Sequence, residues 1–545
     1  MRQYLFEIKR SIFKKVLSFL YRMYLKKDSP TKVFPPSIID NVFYFFPSYN
    51  NETAFPKRIA LPFSDVNIIN IVDTMRPYEI QQCRQLVDNY EISFQEKGAG
   101  YILPIAVIDN ENSKSEYRSE NLEINIGGEI TNIALKHINR FHYVPIYPEI
   151  SNASLKTQSN SLIVGKPLLF DQKDIKKRKV VIHLFIDAFS QVILEDFGES
   201  IFSNSYSFFK DGYRFSNTYA QTEWTLSSIT SIFTGKYLNE HMIYHPSRLD
   251  KIQDTTIAEL MGEMGFNTFG VSSVPKLTPL NGFDKGFDRF IMAKFANAPY
   301  IIDQCIDYMD TFNIEKQYLF VGLFDLHEAH RLQPISSQAL NNKGDFVFEK
   351  FSRRKPSDTY PIYDTHRINQ YKNHVKYLDK KLKILYQYLE SNFDEITAVL
   401  HSDHGISFNT KTSEILGKER EKVPMMFRSD KISSKDIDDI SEVKSVHHFL
   451  KDDICNNEIL IKNHKYIITE SLYPNRNYHI AVRSNENVLF WSVSWESVLG
   501  KNIDNVKTSY FKLNDELNEI EKDGEYYEML NHANSHCQKL FLKSL

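Results

Sequence analysis

Cysteine is scarce in this chain: the four present, Cys83, Cys305, Cys455 and Cys537, are far apart and form neither a CxxC pair nor a compact disulfide framework. That spacing favours a reducing compartment. An excess of one charge sign is lacking too, since the formal net charge is -3. A general nucleic-acid binder needs a surplus of cations against phosphate, so nucleic acid is not an expected partner. Long uninterrupted apolar runs are also missing. Residues 1–28 are rich in Phe, Leu, Tyr and Ile, but Arg2, Lys9, Arg10, Lys14, Lys15, Arg22, Lys26 and Lys27 interrupt them throughout. A membrane span needs roughly 20 consecutive apolar residues, and a signal peptide needs an unbroken apolar core before a small-residue cleavage site. Neither pattern occurs, which leads to the expectation of a cytoplasmic protein. No internal repeat and no long low-complexity tract is found.

What is present is the balance of a chain that buries a core: 42% hydrophobic and 25% charged residues over 545 positions, more than one average domain holds. Three segments are expected. In residues 1–28, Ile8, Ile12, Val16, Phe19, Leu20 and Met23 recur at helical spacing opposite the cations. This suits a helix lying on an anionic membrane surface at the inner face of the membrane, and equally a helix docked on protein. Residues 29–175 alternate turn clusters, such as Pro47 to Asn51 and Asp109 to Asn112, with short runs such as Tyr101 to Ile108 and Leu122 to Ile126. They read as a strand-rich module that either holds carbohydrate or braces the rest. The charged stretch from Asp171 to Arg178 marks the boundary. From residue 176 to the C-terminus, apolar runs alternate with helical periods: Val180 to Ile186, a helix from Leu226, Thr256 to Met264, Phe266 to Val271, Tyr318 to Phe324 and Ala398 to Leu400. Runs apolar on both faces are what a parallel sheet between helix layers requires, so the domain is α/β. Before the last strand, Ile368, Tyr371, Val375, Leu378, Leu382, Leu385 and Leu389 form one apolar helical stripe.

Three chemical signals sit where such a sheet presents its ligands, beyond the carboxyl ends of the strands. Asp187 follows the apolar strand Val181 to Ile186, and a carboxylate there must be paired, bonded or metal-bound. Thr225 opens a helix whose Leu226, Ile229, Ile232 and Phe233 share a face, which puts it where free N–H groups and the helix dipole favour phosphate. Taken alone, a threonine there is more often a cap. His401-Ser402-Asp403-His404-Gly405 supplies an oxygen and a nitrogen ligand side by side, with Gly405 permitting a tight turn.

In this order and spacing the segments resemble the sulfatase-like branch of the alkaline phosphatase superfamily. In that family a nucleophile stands ten residues before the glycine of a Thr-Gly pair, and the count back from Gly235 reaches Thr225. Further likenesses are Thr256 to Leu260 with Gly265 to Thr268, the Gly282-Phe283-Asp284 turn, and Tyr371, Val375, Leu378 and Asp379 on the long helix. Val423-Pro424-Met425-Met426 also matches, and the stretch Ile480 to Phe490 resembles the family's C-terminal strand. The resemblance implies a sandwich with a central, mostly parallel sheet. It implies one divalent metal on Asp187, Thr225, Asp403 and His404, with manganese or zinc favoured by the ligand set and magnesium or calcium left open. His327, after the buried strand Tyr318 to Phe324, aligns with a histidine that serves as proton donor or substrate ligand; His330 and Trp224 are further substrate-binding candidates. Asp325 and His330 are one residue too far apart for the DxxxH spacing of two-metal relatives, and His447 and His448 read as structural.

Two departures direct the chemistry toward phosphorus. Where sulfatases carry a Cys/Ser-x-Pro-x-Arg motif for formylglycine, this chain has Thr225-Leu226-Ser227-Ser228-Ile229, and Asp187 is followed by Ala188 rather than by a second aspartate. The expected activity is transfer of a substituted phosphate through a phospho-threonine, from a lipid- or nucleotide-linked donor onto a capsule or lipopolysaccharide glycan. The alternatives are a phosphodiesterase or phosphatase using water, and, less well supported, a sulfatase or a non-catalytic binding module.

Overall fold

The computed structural model describes residues 89–543 apart from short breaks and residues 328–363, and before residue 89 only the backbone of five strands. The basic segment 1–28, His330 and most of the expected acceptor loop from His330 to His366 lie outside the described residues. The chain divides into two compact units, Met1–Leu168 and Leu169–Leu545. Among the described residues no helix is long and apolar enough to cross a membrane.

The first unit is built of antiparallel strands. One sheet of four orders Asn89–Ser93, Asn152–Thr157, Glu120–Ile126 and Glu129–Leu135. In a second set, Arg58–Phe63, Ile68–Asp73 and Tyr78–Gln85 form a meander, and Gly100–Val107 pairs with Phe141–Ile146 and Leu162–Gly165. Period-two alternation places Leu122 and Ile124 in the core and Asn121, Glu123 and Asn125 on the opposite, more open face. Leu103, Ile105 and Leu155 are likewise buried.

The second unit is α/β with a mostly parallel central sheet. Strand Lys179–Ile186 lies between Lys316–Leu323 and Glu395–His401, parallel to both. Asn267–Ser272 continues the parallel set beyond Lys316–Leu323 and is followed by Arg289–Met292. On the other side Lys422–Arg428 runs antiparallel to Glu395–His401 and pairs with Tyr213–Tyr219. Val180 to Ile186 are entirely buried, as a strand covered on both faces requires. A five-stranded antiparallel meander, Ile467–Ser471 to Asp515–Glu519, follows the sheet, and the helix Gly524–Phe541 covers it with Met529, Ala533, Cys537 and Leu540 against Tyr478, Ile480 and Trp491. The stretch Ile480 to Phe490, expected as one strand, is two strands of that meander, Tyr478–Arg483 and Asn487–Val493. Ser484 to Glu486 turn the chain between them, with Ser484 Oγ accepting from the amides of Glu486 and Asn487.

The charged stretch Asp171 to Arg178 lies within the second unit. Gln172 N donates to Asn313 O at 2.9 Å and Arg178 N to Asp394 Oδ2 at 2.8 Å, so the stretch leads directly into the first strand of the parallel sheet.

The long helix is Thr365–Asn392. Its stripe from Ile368 to Leu389 is buried, whereas Ile384 on the outer side is 50% exposed. Asp379, on the inner face, accepts hydrogen bonds from Asn204 N and Ser205 N at 2.9 Å each and so holds the start of helix Ser203–Phe208. Truncating Leu382 to Ala removes a fully buried side chain and is expected to cost about 2–5 kcal/mol. The same change at Ile384 stays within about 0.5 kcal/mol. Urea unfolding midpoints of the two variants check the pair, and equal losses would contradict the packing described.

Candidate metal centre

Parallel register brings the candidate residues to one edge of the sheet. Phe185 stands opposite His401, and Ile186 opposite Leu323, so Asp187, the segment before His327, and Asp403-His404 all emerge together. Asp187 N donates to Leu323 O at 2.9 Å. The next residue, Ala188, takes the left-handed conformation, φ 58°, which few residues with a Cβ adopt. Its N–H donates to Asp403 Oδ1 at 3.1 Å, and its carbonyl accepts from Tyr371 OH at 2.7 Å. Tyr371 OH also accepts from Ser190 N at 3.1 Å, so this phenol, which the sequence shows only as part of an apolar stripe, orients the Asp187 turn.

Thr225 is the first residue of the helix Thr225–Thr234, and Trp224 is its cap, without a side-chain capping bond. The first intrahelical bond runs from Ser228 N to Trp224 O, which leaves the N–H groups of residues 225–227 without a partner inside the helix. The Thr225 hydroxyl meets His404 Nε2 at 3.3 Å instead of capping. The helix ends at Gly235 with φ 71°, and a Cβ there would stand 2.9 Å from the His447 ring, so only glycine fits both the turn and the contact. His447 donates through Nδ1 to Phe233 O at 3.0 Å and is structural.

His404 Nε2 is the point of convergence. Asp403 Oδ2 lies 3.2 Å from it, Thr225 Oγ1 3.3 Å and Asp187 Oδ1 3.9 Å. His404 Nδ1 donates to Gly405 O at 2.8 Å, which leaves Nε2 facing the other groups. Gly405 allows the turn, because a Cβ at that position would come within 2.6 Å of Glu419 O. Ser228 Oγ donates to Asp403 O at 2.9 Å and ties the helix to the Asp403 loop. Donor atoms of Asp187, His327 and His404 all lie within 4.8 Å of one another, so His327, expected as proton donor and substrate ligand, also stands within reach of the same ion. Its ring stacks on Phe324 at 4.7 Å.

These residues fit a divalent metal. Asp187 and Asp403 are 1% and 0% exposed, and Asp403 Oδ2 accepts no hydrogen bond. Two adjacent buried carboxylates beside one imidazole are offset in desolvation and mutual repulsion by a bound cation.

Other expected or neighbouring groups have different roles. Asp325 Oδ1 accepts from Ala298 N at 3.0 Å, at the start of helix Ala298–Thr311, and burial pushes its carboxyl up to about 6. Trp224 is half-buried, with Tyr473 at 5.6 Å and the Arg420 guanidinium 6.0 Å from its ring; Arg420 pairs with Glu223 at 3.3 Å. Tyr473, Arg420 and Glu223 carry no motif that would have marked them in the sequence.

A buried two-carboxylate, one-imidazole centre at the carboxyl ends of a parallel sheet, with a hydroxyl at a helix start, is an arrangement suited to a metal-dependent enzyme of the sulfatase class. Residues 179–452 match the family model described as Sulfatase, and the chain belongs to that family, whose members depend on metal. A candidate sulfatase of Bacteroides fragilis, yidJ, superposes with a TM-score of 0.51 at 14% identity, covering 69% of this chain and 100% of its own. A Bacteroides thetaiotaomicron protein from work on the metabolism of multiple glycosaminoglycans gives 0.51 at 13% identity, with 68% and 97% covered. A protein of the alkaline phosphatase superfamily from Vibrio parahaemolyticus gives 0.47 at 13%, with 68% and 89% covered. The first two likenesses concern the fold. No curated protein matches the chain in sequence.

Asp187→Asn, Asp403→Asn and His404→Ala each remove a ligand and are expected to reduce bound metal at least ~10-fold, a loss typical even of weaker perturbations around such sites. Metal analysis of the purified, folded variants checks this. Full occupancy in all three would rule the centre out.

Proposed function

We propose that this enzyme is a phosphotransferase that moves a substituted phosphate, of the phosphoglycerol, phosphoethanolamine or phosphoramidate type, onto a surface glycan through a phospho-threonine at Thr225. The observation that carries the reading is the Thr225 hydroxyl, free of capping duty and 3.3 Å from His404 Nε2 at the open start of a buried helix. A threonine stands where formylglycine chemistry needs cysteine or serine, so displacement at phosphorus suits the site better than sulfate ester hydrolysis.

Asp187, Asp403, His404 and Thr225 would hold the metal, with manganese or zinc favoured by the ligand set. When bound, the metal lowers the pKa of the threonine hydroxyl and neutralises the phosphoryl oxygens. Thr225 Oγ1, its proton released to solvent, attacks phosphorus in line and breaks the bond to the donor's alcohol, while the N–H groups of residues 225–227 face the anionic phosphoryl group. His327 donates a proton to the departing alcohol. An acceptor hydroxyl, giving its proton back to His327, then displaces the phosphoryl group from Thr225, whose oxygen takes up a proton from solvent, and two inversions restore configuration. Trp224 and Tyr473, half-buried beside the nucleophile with their rings tilted by 38°, offer aromatic surface for a sugar ring, which supports a glycan acceptor. The donor is lipid- or nucleotide-linked, and the basic segment 1–28 is proposed to bring the enzyme to an anionic membrane face. Hydrolysis to water, by a phosphodiesterase or phosphatase, uses the same residues and is the second reading.

Thr225→Ala is expected to leave the fold intact, because Thr225 is not the helix cap, and to abolish turnover. Intact-protein mass spectrometry after incubation with candidate phospho-donors should show an adduct on the wild type and none on T225A. In a single-turnover assay, donor alone gives one rapid turnover followed by slow hydrolysis, and a capsule or lipopolysaccharide fragment with a free hydroxyl speeds release and takes up label. Fast multiple turnover with donor alone, with no glycan labelled, would replace transfer by hydrolysis. Near-normal activity in folded T225A would overturn the nucleophile.

A further inference from the structure

Behind the turn that carries His404 lies a cavity of about 280 Å³, between the short helix Lys418–Glu421 and the turn joining strands Lys507–Lys512 and Asp515–Glu519. Five carboxylates and three ammonium groups line it, an excess of negative charge. Most of these groups are engaged with one another or with backbone. Lys418 Nζ donates to Asn514 O at 2.7 Å, Lys422 Nζ to Glu195 Oε1 at 2.8 Å, and Asp515 accepts from Leu517 N at 3.1 Å.

Two lining carboxylate oxygens are not satisfied. Glu419 Oε2 and Glu516 Oε1 make no hydrogen bond, although their residues are only 5% and 3% exposed; the other Glu516 oxygen accepts from Lys418 N at 2.9 Å. Burial pushes the Glu419 carboxyl up while Lys418 and Lys411 pull it back toward its charged form, yet no hydrogen bond reaches Oε2. Burial first, and the neighbouring Glu419 among the further causes, raise Glu516 to about 7. Leaving two such carboxylate oxygens bare costs on the order of 1–3 kcal/mol each, more when charged, so the cavity is built for a ligand that supplies positive charge. Among the described residues no sulfur or imidazole lines it, which selects a hard cation.

We propose that this cavity binds a second divalent cation of the calcium type, held by Glu419 and Glu516, with water completing its shell. Its place in the fold gives it a bracing role. Glu419 O accepts from Ser190 Oγ at 3.3 Å, Arg420 O accepts from Gly405 N, and Gly405 packs directly on Glu419 O. Tying Glu419 to Glu516 through a cation holds the turn on which the Gly405 backbone rests. This does not depend on which reaction Thr225 performs.

The test uses the full-length protein stripped with chelator and titrated with Ca²⁺ by calorimetry, and with Tb³⁺ by luminescence sensitised through aromatic side chains, of which Tyr219 lines the cavity. His404→Ala, which disables the first centre, is expected still to bind one Ca²⁺ equivalent. Glu419→Gln and Glu516→Gln, singly, are expected to weaken that equivalent at least ~10-fold, the loss that removing a metal contact brings, while leaving the first centre's metal in place. If H404A binds no Ca²⁺, the cavity is not a cation site; if folded E419Q and E516Q both bind Ca²⁺ with wild-type stoichiometry and affinity, these residues are not its ligands. Either result overturns the proposal, and the H404A titration requires no cavity variant to fold.

Discussion

The constraint on which the rest of this site depends is the burial of two carboxylates, Asp187 and Asp403, around one imidazole nitrogen. Carboxylates removed from water are tolerated only with compensating charge or hydrogen bonds, and much of the surrounding backbone is arranged accordingly. Ala188 occupies a left-handed conformation so that its N–H reaches Asp403. Tyr371 crosses from the long helix to hold the carbonyl of the same residue, and His404 uses Nδ1 on its own neighbour so that Nε2 faces inward. Gly405 lacks the atom that would push the loop off the Lys418–Glu421 segment. Each of these contacts restricts the positions of the candidate ligands, which is the preorganisation a metal centre needs.

A second polar element lies deeper in the sheet. His183 Nε2 and His401 Nε2 are 2.7 Å apart, and His183 Nδ1 meets Tyr318 OH at 3.0 Å, all within three adjacent parallel strands. Burial pushes His401 down to about 3 and holds His183 well below the usual histidine range, so both rings are neutral, with one donating and the other accepting. A directional bond of this kind penalises a slipped register in a way that the surrounding Val, Leu and Phe side chains do not. These strands are the ones whose ends deliver Asp187, the His327 segment and Asp403, so the pair helps keep the site's three parts level.

The parallel strands, the helix opened by Thr225 and the long stripe from Ile368 to Leu389 are legible in the sequence because each follows from local periodicity together with burial on one or both faces. The convergence of Asp187, Thr225, Asp403 and His404 is legible through the family resemblance, since spacing along the chain does not by itself show that three strand ends meet. Tyr371, Arg420 and Glu223 are not legible: they lie far apart in sequence, and their roles arise only from tertiary contacts. The stretch Ile480 to Phe490 reads as one strand because the Ser484 turn contains neither glycine nor proline; a serine side chain makes that turn. That Asp325 serves a helix start in another segment is not legible either, because such a contact leaves no sequence pattern.

Membership of the sulfatase family fixes the scaffold and the metal-binding edge, but the reaction is decided by what stands at the helix start. A threonine at a cap normally uses its hydroxyl on the amide of the second or third helical residue, and such a hydroxyl is a poor nucleophile because its oxygen is already engaged. Here Trp224 occupies the cap position, and Thr225 is shifted one residue into the helix, so its hydroxyl points toward His404 while the first amides remain open. One residue of displacement thus separates two functions that compete at an ordinary helix start, capping and anion binding. It leaves the same helix end able to present both a free hydroxyl and open N–H groups to one bound anion. That division explains why the sequence Thr225 to Thr234 can be rich in hydroxyls without losing its helix: Thr230 and Thr234 bond back to Leu226 O and Thr230 O at 2.7 Å each, Ser228 bonds to the Asp403 loop, and Thr225 alone is kept for the site.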